Sequence, residues 1–238
     1  MADLLDRREV RIRRMFDGIA GKYDFLNHLL SLNIDKRWRK TVTKLVPVQT
    51  GPLLDLCTGT GDLAFEYDRV TGGKIAIIGA DFSPRMLERA VWKNAKAQSQ
   101  SRIQFVEADA QHLPFADNTF EVATISFGLR NVTNPDLGLR EMTRAVRSGG
   151  RVAVLEFSKP RHWLLGKMYT GYFKHVLPRI GQAFSKSDEQ AYAYLPASVM
   201  EFPDGEALAE KMRAAGLTQV WFRPLTFGIA TLYVGTKP

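Results

Sequence analysis

A chain of 238 residues with 45% hydrophobic and 24% charged content fits one large α/β domain, or at most two small ones, with a sizeable core. Its single cysteine, Cys57, excludes an internal disulfide and a thiolate metal cage and suits a reducing, cytoplasmic setting; the charges in "MADLLDRREVRIRRMF" argue against a secretory leader, and no apolar run approaches the ~18 residues of a membrane span. The net charge of +8 is uneven, with Arg7, Arg8, Arg11, Arg13 and Arg14 at the start and Lys36, Arg37, Arg39, Lys40 and Lys44 after them, a pattern that fits either an anionic partner or a solvated basic face.

Residues 8–45 read as helix, because Phe16, Ile19, Tyr23, Leu26 and Leu30 recur at spacings of three and four. Gly18 and Gly21 interrupt that stripe, so two helical pieces with a bend are expected. From Pro52 onward short apolar runs alternate with helical stretches. "PLLDLC" is the first strand, and a helix follows the glycine turn after it. "KIAIIGADF" is the second strand, and the next helix has Ser83 as its N-cap and Pro84 in its first position. "IQFVEADA" is the third strand and "FEVATISFGL" the fourth; "PDLGLREMTRAVRSGG" is a helix stopped by Gly149, and "RVAVLEFS" is the fifth strand. Such alternation calls for a parallel sheet with helices on both faces. The end differs: helix "GEALAEKMRAAG" leads to "TQVWFRP" and "GIATLYVGTKP", joined by a link around Leu225 and Thr226 too short for a parallel crossover. The expected architecture is therefore a seven-stranded, mostly parallel sheet closed by an antiparallel C-terminal hairpin. Residues 1–50 form a helical arm or lid on a catalytic domain at 51–238, the whole a single globular unit.

Ligands of open α/β sheets lie beyond the carboxyl ends of the strands. Asp55, Thr58, Gly59, Thr60 and Gly61 stand at the end of the first strand, and Gly59, Gly61 and Ala64 fit the G-x-G-x-x-G/A fingerprint. Asp81 ends the second strand 20 residues past Gly61, where a carboxylate accepts both ribose hydroxyls. A dinucleotide and S-adenosylmethionine look alike to this point. Asp62 breaks the tie: in the first turn of a helix it competes with a pyrophosphate for the same amides, while a sulfonium and an ammonium group are compatible with nearby carboxylates such as Asp55. Asp109 ends the third strand, where it and the amide of Ala110 can read an adenine rim. Each acid alone has a plain explanation as a first-turn residue, a cap or a turn; the three at successive strand ends favour a methyl-donor site.

The D-x-C-x-G-T-G-D turn, "GADFS" and "ADAQHLPFADNTFE" resemble class I S-adenosylmethionine-dependent methyltransferases, with their Rossmann-like fold. "FDGIAGKYDFLNHLLSLNIDKRWR", "ISFGLRNV" and "GGRVAVLEFSKP" resemble more specifically the quinone-biosynthesis C-methyltransferases of the menaquinone and ubiquinone pathways, the demethylmenaquinone methyltransferase type. The resemblance runs from about Arg11 through "HVLPRIG", "YAYLPASVMEFPDGEALAEKMRAAGL" and the hairpin. It departs from the family at Ala197, where an acid usually precedes the serine, here Ser198. It implies binding of the methyl donor at Thr60, Asp81, Asp109, Ala110 and Ser126, and C-methylation of a polyprenylated quinol, demethylmenaquinol ahead of its benzoquinol counterpart.

Such a ring carbon becomes nucleophilic when the quinol hydroxyl, with a pKa near ~10, gives up its proton. A guanidinium suits the resulting oxyanion, so Arg130 is the candidate for holding it and Asn131 for orienting it, against the alternative that Arg130 braces its own loop. Water, Tyr23 and His175 are open choices for the proton acceptor. Lys22, Tyr23 and Asp24 sit at the bend of the arm and are placed to close over the methyl donor. His28, His112, His162 and His175 are too scattered for a metal, so none is expected. The stripe Leu165, Met168, Tyr169, Tyr172, Phe173, Val176 and Leu177 either packs on the sheet or lines a path for an isoprenoid tail. A nucleic-acid methyltransferase is the rival, but "SFGLRN" lacks the prolines of the N/D-P-P-Y/F loop, and no nucleic-acid partner is expected. The basic arm is expected to dock peripherally on anionic lipid at the inner face of the membrane. A homodimer remains open.

Overall fold

A computed structural model describes residues 9–21, 23–24, 28, 31, 33–96, 103–160, 194 and 196–238. The arm comes as two helices, α1 (Glu9–Ile19) and α2 (Ile34–Leu45). Gly18 lies inside α1, and the break falls in the turn that follows. Leu26, Leu30, Lys22, His162, His175 and the stripe from Leu165 to Leu177 lie outside the described residues.

The sheet is built from β1 (Leu53–Leu56), β2 (Ile77–Asp81), β3 (Ile103–Glu107), β4 (Phe120–Ser126), β5 (Val146–Phe157), β6 (Thr218–Leu225) and β7 (Ala230–Thr236). Their order is β3-β2-β1-β4-β5-β7-β6. The first five pair in parallel, and β7 runs antiparallel to both β5 and β6, as the short link requires. Helices α3 (Asp62–Thr71), α4 (Pro84–Lys96), α5 (Pro135–Ala145) and α6 (Glu206–Ala214) complete the layers. The hydroxyl of Ser83 accepts the amide of Met86 at 3.2 Å, so Ser83 caps α4 as expected.

Successive strand residues face opposite sides, which makes two cores. Leu54, Leu56, Ile125 and Val154 pack with Met142 of α5 and Met212 of α6 on one face. Leu53, Val122, Ala153 and Leu155 pack with Trp38 of α2 and Tyr67 of α3 on the other. With both faces covered, β1 and β4 are buried through almost their whole length, which accounts for their unbroken apolar runs.

One boundary differs from the sequence expectation. The helix read to Gly149 ends at Ala145, and β5 starts at Val146, buried and paired with Phe120. The amide of Gly149 donates to the carbonyl of Lys237 and the carbonyl of Gly150 accepts the amide of Lys237, so this backbone is claimed by the chain terminus rather than by another helical turn.

Candidate active site

The strand order reverses between β1 and β4, and the loops after them meet there. The turn after β1 winds through left-handed conformations at Cys57, Gly59 and Gly61, with φ of 51, 56 and 88°. Gly128 approaches so closely that a Cβ on it would stand 2.4 Å from that of Cys57. The contact needs glycine, and it brings the loop after β4 against the β1 turn.

Two small compartments open along this edge. Phe16, Tyr23, Gly59, Asp81, Met86, Ser126 and Phe127 line the first. Ile12, Asp109, Ala110, Gln111, Val132 and Thr133 line the second, and Cys57, Phe82, Gly128 and Asn131 belong to both. The arm thus supplies walls through Ile12, Phe16 and Tyr23, with Phe16 and Tyr23 edge to face at 6.1 Å.

Asp81 accepts the amide of Gly59 at 2.8 Å and that of Ser83 at 2.9 Å. Burial pushes its carboxyl up to about 6 despite those hydrogen bonds. Asp109, half-buried, accepts the amide of Gln111 at 2.9 Å and lies 3.1 Å from Nδ1 of His112. Desolvation opposes ionisation there, but these hydrogen bonds prevail and hold the carboxyl below its ordinary value.

Asp55, Thr60 and Gly61 stand outside the walls of these two compartments. Asp55 is buried beneath the turn, where its carboxylate accepts the hydroxyls of Thr58 at 2.7 Å and Thr124 at 2.8 Å; burial raises it to about 6. It fastens the turn to β4. Thr60 is buried and donates its hydroxyl to Asp24 of the arm. Gly61 faces Phe65 and Phe105.

Asp62 stands in the first turn of α3, as read, but it is no free charge. Nζ of Lys93 on α4 lies 2.6 Å away and Nη2 of Arg39 on α2 lies 3.3 Å away. Burial alone would raise the Asp62 carboxyl; the two cations hold it below its ordinary value. Lys93 also reaches Asp24 at 2.9 Å, and Asp35 joins Arg39 and His28. His28, Asp35 and Asp62 offer atoms close enough for a metal ion, yet their carboxylates already hold these two cations. The network ties the arm, α2, α3 and α4 into one latch over the glycine turn.

Arg130 is 6% exposed, with Nη1 on Oε1 of Glu156 at 2.7 Å and on the carbonyl of Phe127. Its amide reaches Glu156 as well, at 3.3 Å. Arg130 braces the loop. Asn131 donates Nδ2 to the carbonyl of Phe127 at 3.3 Å, while its Oδ1 and the hydroxyl of Ser126 are buried without a partner. Both residues line the first compartment, so these two atoms are free to take a ligand there. Phe127 holds φ 57°, an outlier for a bulky residue. Sequence reasoning missed Cys57, Phe82, Met86, Phe127 and Gln111 on the walls. It missed Glu156 too, although an acid ending the apolar run "RVAVLEFS" repeats the signal that singled out Asp81.

The chain matches the model of the "ubiE/COQ5 methyltransferase family" over residues 4–237. It is 44% identical over 234 residues to a ubiquinone/menaquinone biosynthesis C-methyltransferase UbiE of Geobacter sp. (strain M21), covering 98% of this chain and 99% of that one. It is 42% identical to a demethylmenaquinone methyltransferase of Deinococcus radiodurans, over 95% of this chain and 92% of that one. Among solved structures, a SAM-dependent methyltransferase of Thermotoga maritima superposes with a TM-score of 0.69 at 21% identity, over 94% of this chain and 99% of that one.

Proposed function

The chain belongs to the ubiE/COQ5 methyltransferase family, and from that premise we propose that it moves a methyl group from S-adenosylmethionine to a ring carbon of a polyprenylated quinol, demethylmenaquinol first. One observation carries the reading: the relatedness to quinone methyltransferases spans the arm and the whole cleft, not the sheet alone. When bound, the methyl donor supplies an electrophilic carbon on a sulfonium. The ionised Asp81 would accept its ribose hydroxyls, and Asp109 with the amide of Ala110 would meet the adenine in the second compartment. Tyr23, Phe16 and the latch exclude water above it.

The acceptor lies on the β4 side of the first compartment. Oδ1 of Asn131 is unpartnered and takes the hydrogen bond of the quinol hydroxyl that keeps its proton, fixing the ring so that its carbon sits ~3 Å from the methyl group and in line with the sulfur. Arg130 and Glu156 act through position, holding the loop that carries Ser126, Phe127 and Asn131. The other hydroxyl would give its proton to water, directly or relayed by the Tyr23 hydroxyl that lines the same compartment; the S–CH3 bond breaks as the ring carbon gains the methyl group, and the hydrogen on that carbon then leaves to water as a proton, restoring the aromatic ring.

The test supplies labelled methyl donor with a short-chain demethylmenaquinol, with the matching benzoquinol and with bulk tRNA. Label is expected in the naphthoquinol. Label in the benzoquinol alone would transfer the activity to the ubiquinone pathway, and label in tRNA alone would overturn the quinol reading. We further propose that the basic arm docks on anionic lipid, where a prenylated acceptor resides.

A further inference from the structure

A separate cleft of about 530 Å³ opens where β5 and β6 end and β7 begins. Its walls include Ser158, Lys159, Phe222, Pro224, Phe227 and Thr231. The polar groups here bind one another. Nζ of Lys159 donates to the carbonyl of Phe202 at 3.3 Å and its amide to Asp204 at 2.8 Å, while Ser158 pairs with Thr231 at 2.7 Å. What remains for a ligand is apolar: Phe222, Pro224 and Phe227.

The turn at its mouth points the same way. Thr226 and Phe227 hold φ of 45 and 58°, in the left-handed region, and the Phe227 ring is 79% exposed. Bulky residues avoid that conformation unless their surroundings impose it. Here the indole of Trp38 donates to the Thr226 hydroxyl at 2.8 Å, the amide of Ile229 to the Thr226 carbonyl at 3.2 Å, and the hydroxyl of Ser158 to the Gly228 carbonyl at 2.8 Å. Three hydrogen bonds fix a turn that presents an apolar ring. The cleft lies on the same edge of the sheet as the reaction site. Phe127, which lines the methyl-donor compartment, packs on the Phe157 ring at 4.4 Å, and Ser158 and Lys159, next in the chain after Phe157, line the cleft.

We propose that this cleft takes the isoprenoid tail of the acceptor, with the ring at Asn131 and the tail crossing Phe157 and running over Phe227; the inference rests on the quinol reading above. A peptide is the poorer occupant, because its backbone amides would find the cleft's polar groups already engaged.

Two variants of the full chain test it. Phe227→Gly removes the ring at a backbone conformation that glycine adopts freely, and Pro224→Trp fills the cleft from the edge strand. KM is measured for a single-isoprene and a long-tailed demethylmenaquinol, and S-adenosylhomocysteine affinity by calorimetry. In each variant the ratio of the long-tailed to the single-isoprene KM should rise about tenfold, with wild-type affinity for S-adenosylhomocysteine. An unchanged ratio, or an equal rise for both acceptors, would overturn the tail site while leaving the quinol reading intact. Failure of the wild-type protein to methylate either acceptor would overturn the quinol reading and the tail site with it.

Discussion

Asp81 and Asp55 share a raised carboxyl, about 6 in each, but only Asp81 lines the cleft. A ribose diol donates its hydrogen bonds to the ionised form, so affinity for S-adenosylhomocysteine should fall as pH drops through about 6, approaching tenfold per pH unit below it. Calorimetry between pH 8 and 5 reads this slope; Asp81→Asn should bind weakly throughout with little slope, and a flat wild-type profile would remove Asp81 from the ribose. The strand-end acids were legible in the sequence because each closes an apolar run at the edge where ligands gather. The fate of Arg130 was not, since its partner Glu156 is 26 residues away on another strand. Glu156→Gln leaves a buried guanidinium without its counter-charge and should lower unfolding free energy in urea by about 3 kcal/mol. Were Arg130 instead the oxyanion holder, releasing it from Glu156 should raise kcat; loss of both stability and kcat is the outcome a brace demands.

At the level of elements, the arm was legible as two helices and, through Tyr23 and Asp24 at its bend, as a lid, but the part α1 plays as a wall was not. Its apolar spacing shows which face of α1 turns inward; only the fold shows that Ile12 and Phe16 stand over the strand ends. The latch was likewise invisible, because Lys93 looks like one more cation in the last turn of α4. Lys93→Met leaves Asp24 and Asp62 without their shared cation and loosens the arm. Half-exposed pairs contribute ~0.2–1 kcal/mol each. The dissociation constant of S-adenosylhomocysteine should therefore rise about three- to tenfold, and unaltered affinity would show that the latch does not guard the methyl donor. The misplaced start of β5 has a similar origin. Gly149 reads as a helix stop, but Val146 is already paired with Phe120, and long-range pairing decides the boundary.

For the whole molecule, charge is the property that sequence shows most openly and locates least well. Arg39 counts toward the basic excess, yet it is buried between Asp35 and Asp62, and Arg13 is paired with Glu107 at 2.5 Å. What remains outward on α2 is a cationic face of Lys36, Arg37, Lys40 and Lys44, with the three lysines in a row at every fourth residue, on the side opposite the buried Trp38 and Val42. Through Trp38 the same helix is bonded to the turn that exposes Phe227, so the cationic row and the apolar ring belong to neighbouring elements. No helix among the described residues is long and apolar enough to cross a bilayer; the peripheral docking proposed above would act through such surface groups. Each cation near an anionic surface contributes about 1 kcal/mol, screened beyond a Debye length of ~10 Å at 0.1 M salt. Replacing Lys36, Lys40 and Lys44 together by glutamine should therefore weaken sedimentation with phosphatidylserine-containing vesicles by roughly two orders of magnitude. Added salt should weaken wild-type binding in the same direction, and neutral vesicles should bind little in either case. Vesicle binding indifferent to both salt and the three lysines would mean that α2 faces water, leaving Phe227 and its cleft to meet the acceptor without electrostatic help.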